Sequence, residues 1–119
     1  MRDYTKYDIW KDAINISVEV YKLTGSFPAE EKFGLTSQLR RSAVSVASNL
    51  AEGCSRTSEK DFGRFLEIAL GSAFELKTQL IISNKIELLS DKLLTDSITK
   101  IDKACRQLNA LRSKLSTNK

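Results

Sequence analysis

Apolar residues return at steps of three and four through most of the chain, and the stretch Leu35 to Thr57, LTSQLRRSAVSVASNLAEGCSRT, shows the pattern most plainly. Leu39, Ala43, Val46 and Leu50 draw one buried stripe along a helix over about 35–53. Ala43, Ser45, Ala47, Ser48 and Ala51 have little side-chain volume, so a neighbouring helix can approach closely. Gly53 follows the last periodic position and reads as a left-handed stop. Upstream, Ile9, Trp10, Ala13, Ile14, Ser17, Val20, Tyr21 and Thr24 trace one face of a helix over about 8–24. Asp8 is placed to cap its first turn and Gly25 to end it, with Trp10 and Tyr21 as core anchors.

The pattern continues downstream. Ser58 is a good cap, with Glu59 and Asp61 in the first turn, where negative charge is favoured. From there Phe62, Phe65, Leu66, Ala69, Ala73, Leu76, Leu80 and Ser83 keep register in a third helix over about 58–85. Ile68, Leu70, Ile81 and Ile82 widen that stripe beyond what one bundle seam needs, which predicts burial against another subunit. Ser90 and Asp91 offer the next cap. Leu94, Ile98, Ile101, Cys105, Leu108, Leu111 and Leu115 then repeat through a fourth helix over about 91–115, and STNK is expected to fray. Between the first two helices, Phe27 and Phe33 are expected to tuck in and hold down the connection Gly25 to Gly34. Ile86, Leu88 and Leu89 are expected to pack in the connection before Ser90. The expected fold is an all-α, antiparallel up-down-up-down four-helix bundle forming one domain over residues 1–119.

Composition agrees with that fold: one proline and five glycines leave few breaks for strands and turns. Nineteen lysines and arginines against fifteen acids give a net charge of +4, a mild excess compatible with a polyanionic partner. Cys54 and Cys105 match no metal or redox spacing; Cys105 reads as a core residue and Cys54, beyond the helix stop, as partly exposed. Neither a secretory leader nor a membrane-length apolar run is visible, so a reduced, cytoplasmic setting is expected, with no membrane partner.

The chain has no histidine, which removes the usual general base near neutral pH, the Ser-His and Cys-His pairs, and the commonest metal ligand. Glu52, Glu67 and Glu75 lie closest to the apolar stripes but form no catalytic pair, and Gly71 sits mid-helix, where close packing explains it. No enzyme activity, catalytic residue, metal site or cofactor is implied. What remains is a basic surface. Arg40 and Arg41 near the start of the second helix, and Arg56, Lys60 and Arg64 around the entry to the third, are the candidate nucleic-acid-binding residues, phosphates being the natural partners of such groups. Lys60 and Arg64, four apart, share a helix face.

Three segments carry a resemblance: MRDYTKYDIWKDAINISVEVYKLT, FGLTSQLRRSAVSVASNLAEGCSR and FGRFLEIALGSAFELKTQL. Gln38, Arg40 and Arg41, the run Asn49 to Gly53, and Ala69 to Ser72 are its most specific pieces. The chain resembles the bacterial four helix bundle proteins also called 23S ribosomal RNA intervening-sequence proteins, with Val46-Ala47 standing where that family commonly has Ile-Pro. The resemblance implies an antiparallel bundle that assembles as a homopentamer, related to accessory proteins of diversity-generating retroelements that bind nucleic acid through a basic surface. The expected function is therefore a non-enzymatic, self-assembling bundle that binds RNA or DNA around a ring-shaped homo-oligomer. The alternative is a scaffold that docks a protein partner without nucleic acid.

Overall fold

The computed structural model describes residues 2–117. Four helices carry it: α1 (Asp8–Thr24), α2 (Leu35–Cys54), α3 (Glu59–Lys85) and α4 (Asp91–Thr117). Each helix packs on its neighbours in sequence and α4 closes against α1, so the order around the bundle is that of the chain. The molecule measures 47 × 23 × 20 Å, its long dimension set by the two 27-residue helices. Short connections force neighbouring helices to run antiparallel, the up-down-up-down arrangement.

The stripes predicted for α2 and α3 are the buried ones: Leu39, Ala43, Val46 and Leu50 face Phe62, Leu66, Ala69, Ala73, Leu76 and Leu80 across one continuous core. Ile9, Ala13 and Val20 of α1 join it, together with Ile16, which the sequence reading left off the stripe, and Ile101, Ala104, Cys105 and Leu108 of α4 close it. Ser58 caps α3 by accepting from the Asp61 amide at 3.1 Å, and Ser90 accepts from the Leu93 amide at 3.2 Å. In the α3–α4 connection, Asn84 Nδ2 donates to the Leu89 carbonyl (2.9 Å) and to Asp91 Oδ1 (2.8 Å), while Glu87 sits at φ 67, a left-handed conformation unusual for a side-chain-bearing residue.

Several local expectations are corrected. Gly53 is not a left-handed stop: α2 runs on to Cys54, and no glycine has positive φ among the described residues. Its role is close approach, because a Cβ there would lie 2.8 Å from Phe65 Cβ and 3.1 Å from Phe62 Cδ1. Only hydrogen fits between α2 and α3. Cys54, held in the helix by that one further residue, is 1% exposed rather than partly exposed. Asp8 does not cap α1; Tyr7 stands at that position without a side-chain bond, and Asp3 instead caps a short 3-10 turn, Tyr4–Lys6.

Tyr21 is half exposed rather than a core anchor, because α1 rotates Ile16 inward. Phe27 packs against the core, but Phe33 is 89% exposed, since the 3-10 turn Ala29–Glu31 already brings the chain back to α2. Leu89 is buried as expected, whereas Ile86 is half exposed. A Cβ at Gly71 would touch nothing within 4 Å, so packing inside the subunit does not explain that glycine. The fourth helix extends through Thr117, past the predicted fray point; Asn118 and Lys119 lie outside the described residues.

Candidate nucleic-acid interface

The five basic residues singled out from sequence fall at opposite ends of the bundle. Arg40 and Arg41 lie on α2 near the α1–α2 connection, while Arg56, Lys60 and Arg64 gather where α2 turns into α3. Fifteen residues of mostly helical rise separate Arg41 from Arg56, about 22 Å.

Adjacent in sequence, Arg40 and Arg41 point about 100° apart around the helix and have different surroundings. The Arg40 guanidinium lies over the Tyr21 ring, 4.5 Å from its centre. Its Nε donates to Thr24 Oγ1 at 2.9 Å and Nη2 to the Tyr21 carbonyl at 3.4 Å. It thereby caps the negative, C-terminal end of α1, which accounts for a cation that gains nothing from its own helix's dipole. Arg41 is exposed and makes no side-chain hydrogen bond or ion pair among the described residues. Both arginines line an open groove of about 1020 Å³ running over α2 toward Glu75 and Gln79.

The floor of that groove is a polar seam between α2 and α3. Asn49 Nδ2 donates to the carbonyl and Oγ of Ser45, both at 2.8 Å, and the Ser45 and Ser72 hydroxyls lie 2.8 Å apart. Ser42 donates to Glu75 Oε1 at 2.7 Å, with the Gln79 amide oxygen 2.9 Å from the same hydroxyl. Small side chains let the two helices come close enough for hydroxyls to meet directly.

At the other end, Arg56 and Arg64 both lie over the Phe65 ring at 4.7 Å. A fourth cation, which sequence reading missed, joins them: Arg2 lies over Phe62 at 4.2 Å, and its Nη1 donates to the Arg56 carbonyl at 3.0 Å. Arg2 stands in a polar lead-in with no periodicity, so only the fold reveals where it lands. Asp61 is the acid nearest Arg64, at 3.9 Å from Nε, an ion pair too long to be a hydrogen bond. Lys60 is exposed and has no ion pair among the described residues. Contact with a ring face restrains a guanidinium without using its N–H groups, which can then grip phosphate oxygens in pairs.

The acids near the stripes have ordinary partners: Glu67 pairs with Arg112 at 3.6 Å and Glu75 accepts from Ser42. Burial pushes the Cys54 thiol up from its usual pKa, partly offset by the nearby Arg2, and burial likewise raises Cys105 and Tyr7. Among the described residues there is no group of three or more His, Cys, Asp or Glu side chains able to hold a metal, and no helix is long and apolar enough to cross a membrane.

These features define a class: an all-helical bundle whose polar features are a hydroxyl-lined groove and a ring-stacked cluster of arginines. A family model described as 23S rRNA-intervening sequence protein matches residues 5–110, and the chain belongs to that family. Among solved structures, it is similar to a protein of unknown function from the S23 ribosomal protein family of Bacteroides thetaiotaomicron. The two share 20% identity over 87% of this chain and 97% of that one, with a TM-score of 0.79, a likeness of fold. No match was found among curated proteins.

Proposed function

We propose that this protein is a non-enzymatic, self-assembling bundle acting in the cytoplasm that binds RNA or DNA through phosphate contacts, with Arg56, Lys60 and Arg64 as the principal contacts and Arg41 as an outlying one. The observation that carries the reading is the pair of guanidiniums stacked on Phe65 with a single acid at 3.9 Å. Like charges held together with only the Asp61 carboxylate to offset them are stabilised by an external polyanion. Several copies around a ring strengthen that field, and the half-exposed Ile68, Phe74 and Ile82 on the outer flank of α3 supply apolar surface for such assembly. A homopentamer is the expected stoichiometry, by the family resemblance.

Fluorescence anisotropy with labelled RNA and DNA tests the reading. Binding at low ionic strength should fall steeply as salt rises. No binding, or binding indifferent to salt, overturns it.

The same apolar flank favours a second reading, a scaffold that docks a protein on α3. A partner captured from lysate that survives nuclease treatment, from a protein that light scattering shows to be a monomer, would support that reading instead.

A further inference from the structure

The N-terminal segment brings to the arginine cluster a side chain whose hydrogen-bonding capacity the fold leaves almost unspent. A guanidinium has five N–H donors. Of those on Arg2, Arg56 and Arg64, only Arg2 Nη1 meets an acceptor among the described residues, the Arg56 carbonyl. The acid next to Arg2 is already engaged: Asp3 Oδ1 accepts from the Thr5 amide at 3.1 Å and the Thr5 hydroxyl at 2.5 Å. Phe62 and Phe65, the rings beneath the three guanidiniums, are one turn apart on α3 and nearly buried, at 1% and 6% exposure. The guanidiniums above them therefore rest against a rigid part of the core. Their placement depends on Gly53, which lets α2 lie against those same two rings.

We infer that Arg2 is a phosphate contact of the nucleic-acid surface, completing with Arg56 and Arg64 a three-arginine clamp that bridges the N-terminal segment and the α2–α3 corner. The inference rests on the nucleic-acid reading above and deepens it. Arg2 is anchored at one nitrogen and by its ring, so its remaining N–H groups are presented with little rotamer freedom left to lose on binding. Three fixed cations at one corner can engage successive phosphates of one strand, whereas Arg41, about 22 Å away, cannot share those phosphates.

The test compares wild type with R2K and R2Q in the full chain, measuring anisotropy with a labelled single-stranded RNA across a salt series, and thermal melting in parallel. Gln keeps an amide donor for the Arg56 carbonyl and some packing on Phe62 but has no charge; Lys keeps the charge and loses the planar stack. With a phosphate contact, R2Q binds about threefold to tenfold more weakly at low salt and its log–log salt slope shrinks by about one. R2K should keep the wild-type slope. If R2Q retains wild-type affinity and slope while wild type binds, Arg2 is no phosphate contact. If both variants lose affinity in step with a lowered melting temperature and an unchanged slope, Arg2 is a structural pin and the inference also fails. Absence of wild-type binding takes down the nucleic-acid reading itself, and this inference with it.

Discussion

The two ends of the bundle each place arginine on an aromatic ring, and they use it in opposite ways. At the α1–α2 end, Arg40 lies over Tyr21 and spends its donors inward, on the Thr24 hydroxyl and the Tyr21 carbonyl. At the α2–α3 end, Arg56 and Arg64 lie over Phe65 at nearly the same distance but find no hydrogen-bond acceptor for their guanidiniums among the described residues. Stacking alone thus does not distinguish a structural arginine from one available to a ligand; the fate of its N–H groups does. Arg40 is committed to completing a neighbouring helix, and the corner arginines are not bound to one.

The largest way to break the comparison is to spoil the surface on which the corner is built. Gly53→Val should cost about 3 kcal/mol or more, because its side chain must enter a space where even a Cβ lies 2.8 Å from Phe65. Chemical denaturation would show the loss, and a stability within about 0.5 kcal/mol of wild type would mean that α2 and α3 separate easily. Next, the double change Arg56→Ala and Arg64→Ala should weaken RNA binding at low salt by about tenfold and reduce the salt slope by about two, with stability changed little. Arg40→Ala should do the reverse. It removes the cap of α1 and should cost about 1–2 kcal/mol of stability while leaving the salt slope unchanged. A changed slope in that variant would erase the distinction between the two ends.

A smaller effect is expected from pH. The Cys54 and Cys105 thiols are held above their ordinary pKa by burial, so the folded chain keeps protons that the unfolded chain gives up. Their contribution is fully present below the ordinary thiol pKa of about 8.5 and is lost as pH rises through the folded-state values. Stability against pH, followed by denaturation, should therefore decline on the alkaline side, and the paired change Cys54→Ala and Cys105→Ala should flatten part of that decline. The smallest expected change is a gain. Glu87→Gly at φ 67 should raise stability by about 0.5–1 kcal/mol, because glycine adopts that conformation without a side-chain penalty.

Periodicity made the bundle legible. The stripe Phe62 to Ser83 predicted from spacing coincides with the buried residues of α3, since a long amphipathic helix repeats its signal over many turns. Single positions were harder. A glycine after an apolar run reads the same whether it ends a helix or lets another helix touch it, and Gly53 does the second. Tyr21 and Phe33 are aromatic residues near a core, but helix rotation and a 3-10 turn leave them at the surface. Of the candidate site, Arg56, Lys60 and Arg64 could be grouped from sequence because one loop joins them. Arg2 could not, lying 54 positions from the carbonyl it reaches.

The ladder of hydroxyl contacts joining Ser42 and Ser45 to Ser72, Glu75 and Gln79 fixes more than the gap between two helices. Oily surfaces tolerate slippage, but directional bonds fall out of alignment when one rod slides past the other. This ladder therefore works like a detent: it sets the lengthwise offset of α3 against α2, and with it the distance from Arg41 on α2 to Lys60 and Arg64 on α3. Any long, flexible polyanion lying along the subunit would meet a ruler with fixed graduations.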